Sequence, residues 1–171
     1  MSELTDFRKA KDDFFRTDQH QSPLDSNEQK SFSGLKYYPE DPGFRYELVL
    51  EKVKEPEPII MATSTGDEQD YMHVGQIRFN VKGQEAILQV YVSVDGGEYF
   101  IPFVDATAPD ETYGAGRYLE PGDLGGGKLQ VDFNLAYNPY CAYNDRWSCP
   151  LPPQANRIAV RIEAGEKKYH E

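Results

Sequence analysis

The chain has 171 residues, 39% of them apolar or aromatic by the AVILMFWYC count, with 18 Lys and Arg against 29 Asp and Glu for a formal charge of −11. A chain of this length removes roughly 70% of its unfolded surface from water, enough for one core, and its apolar content argues against extended disorder. The negative charge repels nucleic-acid phosphates and anionic membrane faces, and no apolar run approaches the roughly 20 residues that span a bilayer, so neither is expected as a partner.

The chain opens with MSELTDFRKAKDDFF, which is charged and lacks the apolar middle of a secretory leader. That predicts a cytoplasmic protein whose two cysteines are reduced. In SELTDFRKAKDDFFRTDQ, Leu4, Phe7, Phe14 and Phe15 recur near helical spacing with Ser2 or Thr5 to cap the first amides. An amphipathic helix is therefore expected, ending before Ser22-Pro23. Ser26 with Gln29 three residues on forms a candidate capping box, and Gly34 suits the stop of a second, brief helix.

From Phe44 the period changes to two. FRYELVLEKVK places Phe44, Tyr46, Leu48 and Leu50 on one face and Arg45, Glu47 and Glu51 on the other. VKEPEPIIMATSTGDEQD reads as an irregular connection, with one edge strand at 59–63 and with Pro56 and Pro58 confined to an edge. GQIRFNVKGQ alternates again, and Lys82-Gly83 suits a tight turn into EAILQVYVSVDGGEYFIPF, where Asp95-Gly96-Gly97 signals a second hairpin. GKLQVDFN faces Leu129, Val131 and Phe133 inward, and NRIAVRIEAG adds Ile158, Val160 and Ile162. No long helical pattern follows residue 40. The expected fold class is mainly β: an antiparallel β-barrel or β-sandwich of about seven to eight strands with one or two N-terminal helices. Residues 1–34 form a helical segment packed on a β domain of residues 35–171, a single domain overall.

Two segments concentrate chemistry. DETYGAGRYLEP carries Arg117, whose planar fork suits carboxylate or phosphate, the acids Asp110 and Glu111, and glycines that permit close backbone approach. Its G-x-G lacks a following helix, which excludes a dinucleotide or P-loop reading. The structural alternative pairs Arg117 with Glu111 or Asp132. DFNLAYNPYCAYNDRWSCPLPP holds both cysteines, the only Trp, three Tyr, three Asn and four Pro. Its tyrosines and amides suit a neutral polar ligand, or else pack as a structural loop of the Ω type. Cys141 has no neighbouring His to act as a base, and Cys-x7-Cys lacks the second pair of a zinc site. Both thiols are expected to be buried as small hydrophobes. His73 is expected as a hydrogen-bonded strand residue.

FRKAKDDFFR, SPL, GLKYYPEDP, PFVDATAPDETYGAGRYLEP and DFNLAYNPYCAYNDRWSCPLPPQANRIAVRIEAGEK together resemble, in order and over nearly the whole chain, the prokaryotic family catalogued as domain of unknown function 1684. Ala108-Pro109-Asp110 departs from the small residue expected before ETYGAGRY. The resemblance makes the two C-terminal motifs family hallmarks and supplies no activity.

The leading functional reading is a small-molecule-binding β domain whose polar or anionic ligand sits between segments 111–118 and 132–149. Its candidate ligand-binding residues are Glu111, Tyr113, Arg117, Asp132, Asn134, Tyr137, Asn138, Tyr140, Cys141, Tyr143 and Asn144. No cofactor and no metal is expected, and the chain is read as a monomer or homodimer. One alternative is a structural or protein-interaction module whose motifs lock the fold. Another is a hydrolase using Glu111 or Asp132 as general base, with Arg117 stabilising a developing negative charge.

Overall fold

A computed structural model describes residues 2–95 and 97–170. Helix α1 spans Glu3–Thr17, capped by the Ser2 side chain, which accepts from the Thr5 amide, and it buries Leu4 and Phe15. The second helix, α2 (Ser26–Ser31), is capped one residue earlier than the sequence suggested. Asp25 accepts from the Glu28 amide and the Glu28 carboxylate returns to the Asp25 amide, so the capping box is Asp25/Glu28 rather than Ser26/Gln29, and it sets two carboxylates at the positive end of the helix.

The described residues form eight strands in two antiparallel sheets with no closed barrel: β1 (Arg45–Val49), β2 (Glu51–Ala62), β3 (Glu68–Val81), β4 (Gln84–Ser93), β5 (Tyr99–Phe103), β6 (Arg117–Leu119), β7 (Gly122–Gly125) and β8 (Lys128–Asp132). One sheet has the order β1-β8-β7 and the other β2-β3-β4-β5-β6. The single strand expected at 44–54 is thus two strands in different sheets, divided at the buried Leu50. The segment expected to be irregular apart from one edge strand at 59–63 is a long hairpin of β2 and β3, in which 59–62 do belong to the edge strand β2. Most of β2 is exposed on both faces, so no buried stripe marks it as a strand. Its Pro56 and Pro58 are tolerated because β2 lies at the sheet edge.

The turn at Lys82-Gly83 is as expected: both residues have positive φ, 49° and 85°, the backbone of a tight two-residue hairpin between β3 and β4. Strands β4 and β5 pair through Tyr91↔Phe100 and Val92↔Tyr99. Of the turn predicted there, Gly96 lies outside the described residues. The inward sets meet in one core around Ile77, Phe79, Leu88, Val90, Ile101, Phe103, Val131 and Phe133, with the ring centroids of Phe79 in β3 and of Phe133, just after β8, 5.2 Å apart.

The C-terminal segment departs from expectation in an informative way. Ile158, Val160 and Ile162 alternate inward as read, and Val160 and Ile162 are buried, yet the segment is not a strand. It joins the sheet by a parallel bridge between Val104 and Arg157, and beyond it the Ile162 amide donates to the Asp105 side chain at 2.7 Å. Backbone bonds to Val104 and Ala106 run only as far as the Val160 carbonyl, which accepts from the Ala106 amide, and side chains take over at Ile162.

Gly116 shows how tightly this region is closed. Its φ is +104°, and a Cβ at that position would stand 2.5 Å from the Phe103 carbonyl oxygen. Gly116→Ala is expected to cost about 2 kcal/mol or more, since it combines left-handed strain with a backbone clash. Thermal or urea denaturation measures this directly, and an unchanged midpoint would mean that the turn relaxes.

Candidate functional site

The residues of the two C-terminal motifs separate into three environments. The first is the protein interior. Arg117 is 1% exposed. Its Nη2 donates to Asp105 Oδ1 at 3.3 Å and to the Ile162 carbonyl at 3.0 Å, while Nη1 donates to the carbonyls of Ala164 and Glu166. This corrects both expectations for Arg117: it pairs with Asp105, not with Glu111 or Asp132, and its fork is spent on backbone carbonyls rather than offered to an anion. Burial lowers the guanidinium's pKa, and the adjacent Asp105 carboxylate opposes that shift.

Asn134 is also interior. Its Nδ2 donates to the Asp41 carbonyl, and its Oδ1 accepts from the Asp41 amide, both at 2.9 Å. The Asn138 amide donates to Glu166 Oε1, and its Nδ2 donates to the Lys167 carbonyl at 3.0 Å. Tyr143 donates its hydroxyl to Glu166 Oε1 at 2.5 Å, and both burial and that carboxylate push the phenol well above its ordinary range. Glu166 also receives Lys11 Nζ from α1.

The second environment is a groove of about 830 Å³ between α1 and the three-stranded sheet, lined by Leu4, Phe7, Leu119, Leu135 and Tyr137 with Glu3, Glu40, Glu120 and Asp132 around them. Asp132 accepts from Arg45 Nε at 3.1 Å, and Tyr137 donates to Glu120. Glu111 is outside this groove. Its carboxylate accepts from Arg161 and Tyr38, which hold it below the usual carboxylate range, an unsuitable setting for a general base.

The third environment is a cavity of about 400 Å³ where the two motifs meet. Tyr113 comes from the first motif, and Cys141, Ala142, Tyr143, Asn144 and Asp145 come from the second, with Glu28 of α2 and His170 completing the wall. A short 3₁₀ turn, Tyr140–Ala142, follows Pro139 and sets Cys141 against the cavity. The Tyr113 hydroxyl donates to Cys141 Sγ at 3.6 Å, the Cys141 amide donates to Cys149 Sγ at 3.3 Å, and the Cys149 amide donates to Ser64 Oγ at 3.1 Å. Both cysteines are free and buried. Donation from the Cys149 thiol and from Tyr113 lowers the pKa of Cys141, and the same pairing raises that of Cys149. On the far wall, Asn144 Nδ2 donates to Glu28 Oε1 and His170 Nε2–H donates to the Tyr143 carbonyl, each at 3.0 Å.

The aromatic residues of the second motif explain its unusual composition. Tyr140 lies 6.4 Å from Phe15 and 5.4 Å from Trp147 between ring centroids, and Trp147 Nε1 donates to the Pro23 carbonyl at 3.0 Å. At the other end the Ser64 amide donates to the Cys149 carbonyl at 2.9 Å. The segment therefore straps the N-terminal helices to the end of the β2–β3 hairpin, and its residues 141–145 line the cavity.

Sequence reasoning missed Glu28, His170, Lys11 and Glu166. Glu166 stands in the second motif as Ala164-Gly165-Glu166, and a carboxylate ending an otherwise inward apolar alternation was its available signal. The others lie too far along the chain for spacing to place them. Among the described residues, no group of three or more His, Cys, Asp or Glu side chains is arranged to hold a metal ion, and no helix is long and apolar enough to cross a membrane.

A family model described as "Protein of unknown function (DUF1684)" matches residues 30–167. The chain is also similar to the solution NMR structure of the uncharacterized protein from gene locus rrnAC0354 of Haloarcula marismortui, with 37% identity, a TM-score of 0.72, and coverage of 96% of this chain and 92% of that one. No curated protein matches.

Proposed function

The chain belongs to the DUF1684 family, and from that premise we propose that it is a small-molecule-binding β domain whose site is the cavity between Tyr113 and residues 141–145. The observation that carries this reading is convergence. Two motifs far apart in the chain, α2 and the C-terminal His170 all contribute to one wall of about 400 Å³, within the size range of small-molecule sites. With Arg117 buried elsewhere, the cavity offers a hydroxyl, an amide, an imidazole and two carboxylates but no Lys or Arg. Its ligand is then polar and neutral or cationic rather than anionic. A reducing compartment, where both thiols stay free, fits the same reading.

Titration of ¹⁵N-labelled protein with a panel of small polar amines and amides tests this. Amide shifts are expected to cluster at Glu28, Tyr113, 141–145 and His170. Shifts concentrated instead at Leu4, Phe7 and Tyr137 would move the site to the groove beneath α1. That second reading, a protein-interaction surface, has one observation in its favour: Phe7 is 52% exposed and Leu135 43% exposed on the same groove.

A further inference from the structure

The cysteine pair has a feature that a purely structural pair of thiols does not need. Cys141 borders the cavity, whereas Cys149 does not line it. Cys141 Sγ accepts from the Tyr113 hydroxyl at 3.6 Å, and the Cys149 sulfur lies 3.3 Å from the Cys141 backbone nitrogen. A sulfur that accepts a hydrogen bond from a neighbouring hydroxyl is stabilised as thiolate, and the thiolate is the form that attacks. The second sulfur does not line the cavity but adjoins Cys141, which places it to attack that residue rather than the visitor. The lining acids Glu28 and Asp145, with no Lys or Arg among the described residues that line the cavity, favour a positively charged visitor.

We infer that Cys141 and Cys149 form a thiol–disulfide exchange site, with Cys141 the attacking sulfur, Cys149 the resolving one, and a small cationic disulfide as substrate. This rests on the cavity being the ligand site. In the first step the Cys141 thiolate attacks one sulfur of R–S–S–R. The Cys141–S–R bond forms, the R–S–S–R bond breaks, and RS⁻ leaves and is protonated from solvent. Cys149 then gives up its proton and attacks Cys141 Sγ, expelling a second RS⁻, which takes up a proton. Two protein thiols are oxidised to one disulfide and one R–S–S–R is reduced to two RSH. Tyr113 is a positioning residue that holds Cys141 as thiolate. The exchange needs no histidine base, and so the absence of a local His from the sequence does not bear on it.

The test uses cystamine with the full chain and mass spectrometry. Wild type is expected to lose two hydrogens and retain no adduct. Cys149→Ser should retain one cysteamine on Cys141, and Cys141→Ser should react about tenfold more slowly or not at all. Tyr113→Phe should slow the first step about tenfold near neutral pH, in line with loss of one hydrogen bond to a charged group. That deficit should shrink at pH 9, where the thiolate forms without help, whereas a merely structural role for Tyr113 would leave the deficit constant with pH. Dithiodiglycolate, of similar length but dianionic, is expected to be about tenfold slower than cystamine. Three results would overturn the assignment: a stable adduct on wild type, equal labelling of Cys149 in Cys141→Ser, or parity between the two disulfides. Should Cys141→Ser fail to fold, peptide mapping of wild type at early times shows which sulfur carries the first adduct, and Cys149 there would be equally fatal. 1,6-Diaminohexane, which replaces the disulfide of cystamine with two methylenes, separates the two ideas. If it shifts the cavity amides while cystamine fails to exchange, the pocket stands and the exchange chemistry falls. If neither occurs, both fall.

Discussion

Replacing Arg117 with Met is expected to remove about 4 kcal/mol of stability, near the middle of the range for breaking a buried ion pair on one side. The guanidinium holds Asp105 and the carbonyls of Ile162, Ala164 and Glu166 together, so its loss strands a carboxylate that is 2% exposed and unpairs backbone acceptors over five residues. Asp105 would keep its other partners, the Thr107 hydroxyl at 2.8 Å and the Ile162 amide at 2.7 Å, which support a carboxylate but do not neutralise it. Met fills much of the volume, so most of the cost is electrostatic rather than a cavity. Adding Asp105→Asn should therefore recover part of the loss, because replacing both charges avoids the unpaired one. Arg117→Lys keeps the charge, but its point-like ammonium lacks the fork that spans alternate carbonyls, and it should lose about half as much as Met. Urea denaturation gives all three values. A cost below about 1 kcal/mol for Arg117→Met, the range of an exposed pair, would mean that solvent reaches the clamp.

This arrangement also explains what the sequence disclosed and what it withheld. Period-two alternation located β1, β3, β4, β5 and β8 because each has one face in the core, a signal carried by residues such as Ile77, Phe79 and Val81. For β2 it gave only the edge strand at 59–63 and missed the rest, where Glu55 and Glu57 are exposed, since pairing without burial leaves no periodic trace. It read the segment of Ile158, Val160 and Ile162 as a strand because inward alternation there is genuine, but backbone pairing is confined to Val104 and Ala106, and at Ile162 the partners are the Asp105 and Arg117 side chains. The candidate site was legible in part. Tyr113, Cys141, Tyr143 and Asn144 do face one cavity, picked out by residue chemistry alone. Arg117 and Asn134 drew attention through the same polar character yet serve the backbone. A sequence does not distinguish a polar group aimed at a ligand from one aimed at a buried carbonyl, because both uses select the same donors.

The pair beneath α1 should respond to mutation nearly as strongly as the Arg117 clamp, but through a different element. Glu166 is 2% exposed and Lys11 is 18% exposed, so Lys11→Met removes the only lysine or arginine seen to pair with that carboxylate among the described residues and is expected to cost about 3 kcal/mol. Glu166→Gln keeps an acceptor for the Tyr143 hydroxyl and the Asn138 amide but leaves the ammonium without its counter-charge. It should cost about 2 kcal/mol, less than Lys11→Met because Lys11 is the more solvated partner. The double variant should then be more stable than the sum of the two predicts, with a coupling of about 1 to 3 kcal/mol, as for residues in one network. The readout that localises the effect is amide exchange. Lys11 is the middle of α1, and besides Glu166 it lies 5.2 Å from the Tyr137 ring centroid and 5.7 Å from that of Phe15, so losing the pair loosens the helix from the strap before the sheets. Protection should fall across Glu3–Thr17 and 137–144 while Ile77, Leu88 and Val131 keep theirs, the pattern of local rather than global opening. Uniform loss of protection across sheets and helix would show instead that α1 and the β domain unfold as one cooperative unit. Additivity in the double variant would mean that Lys11 and Glu166 act through separate neighbours rather than on each other.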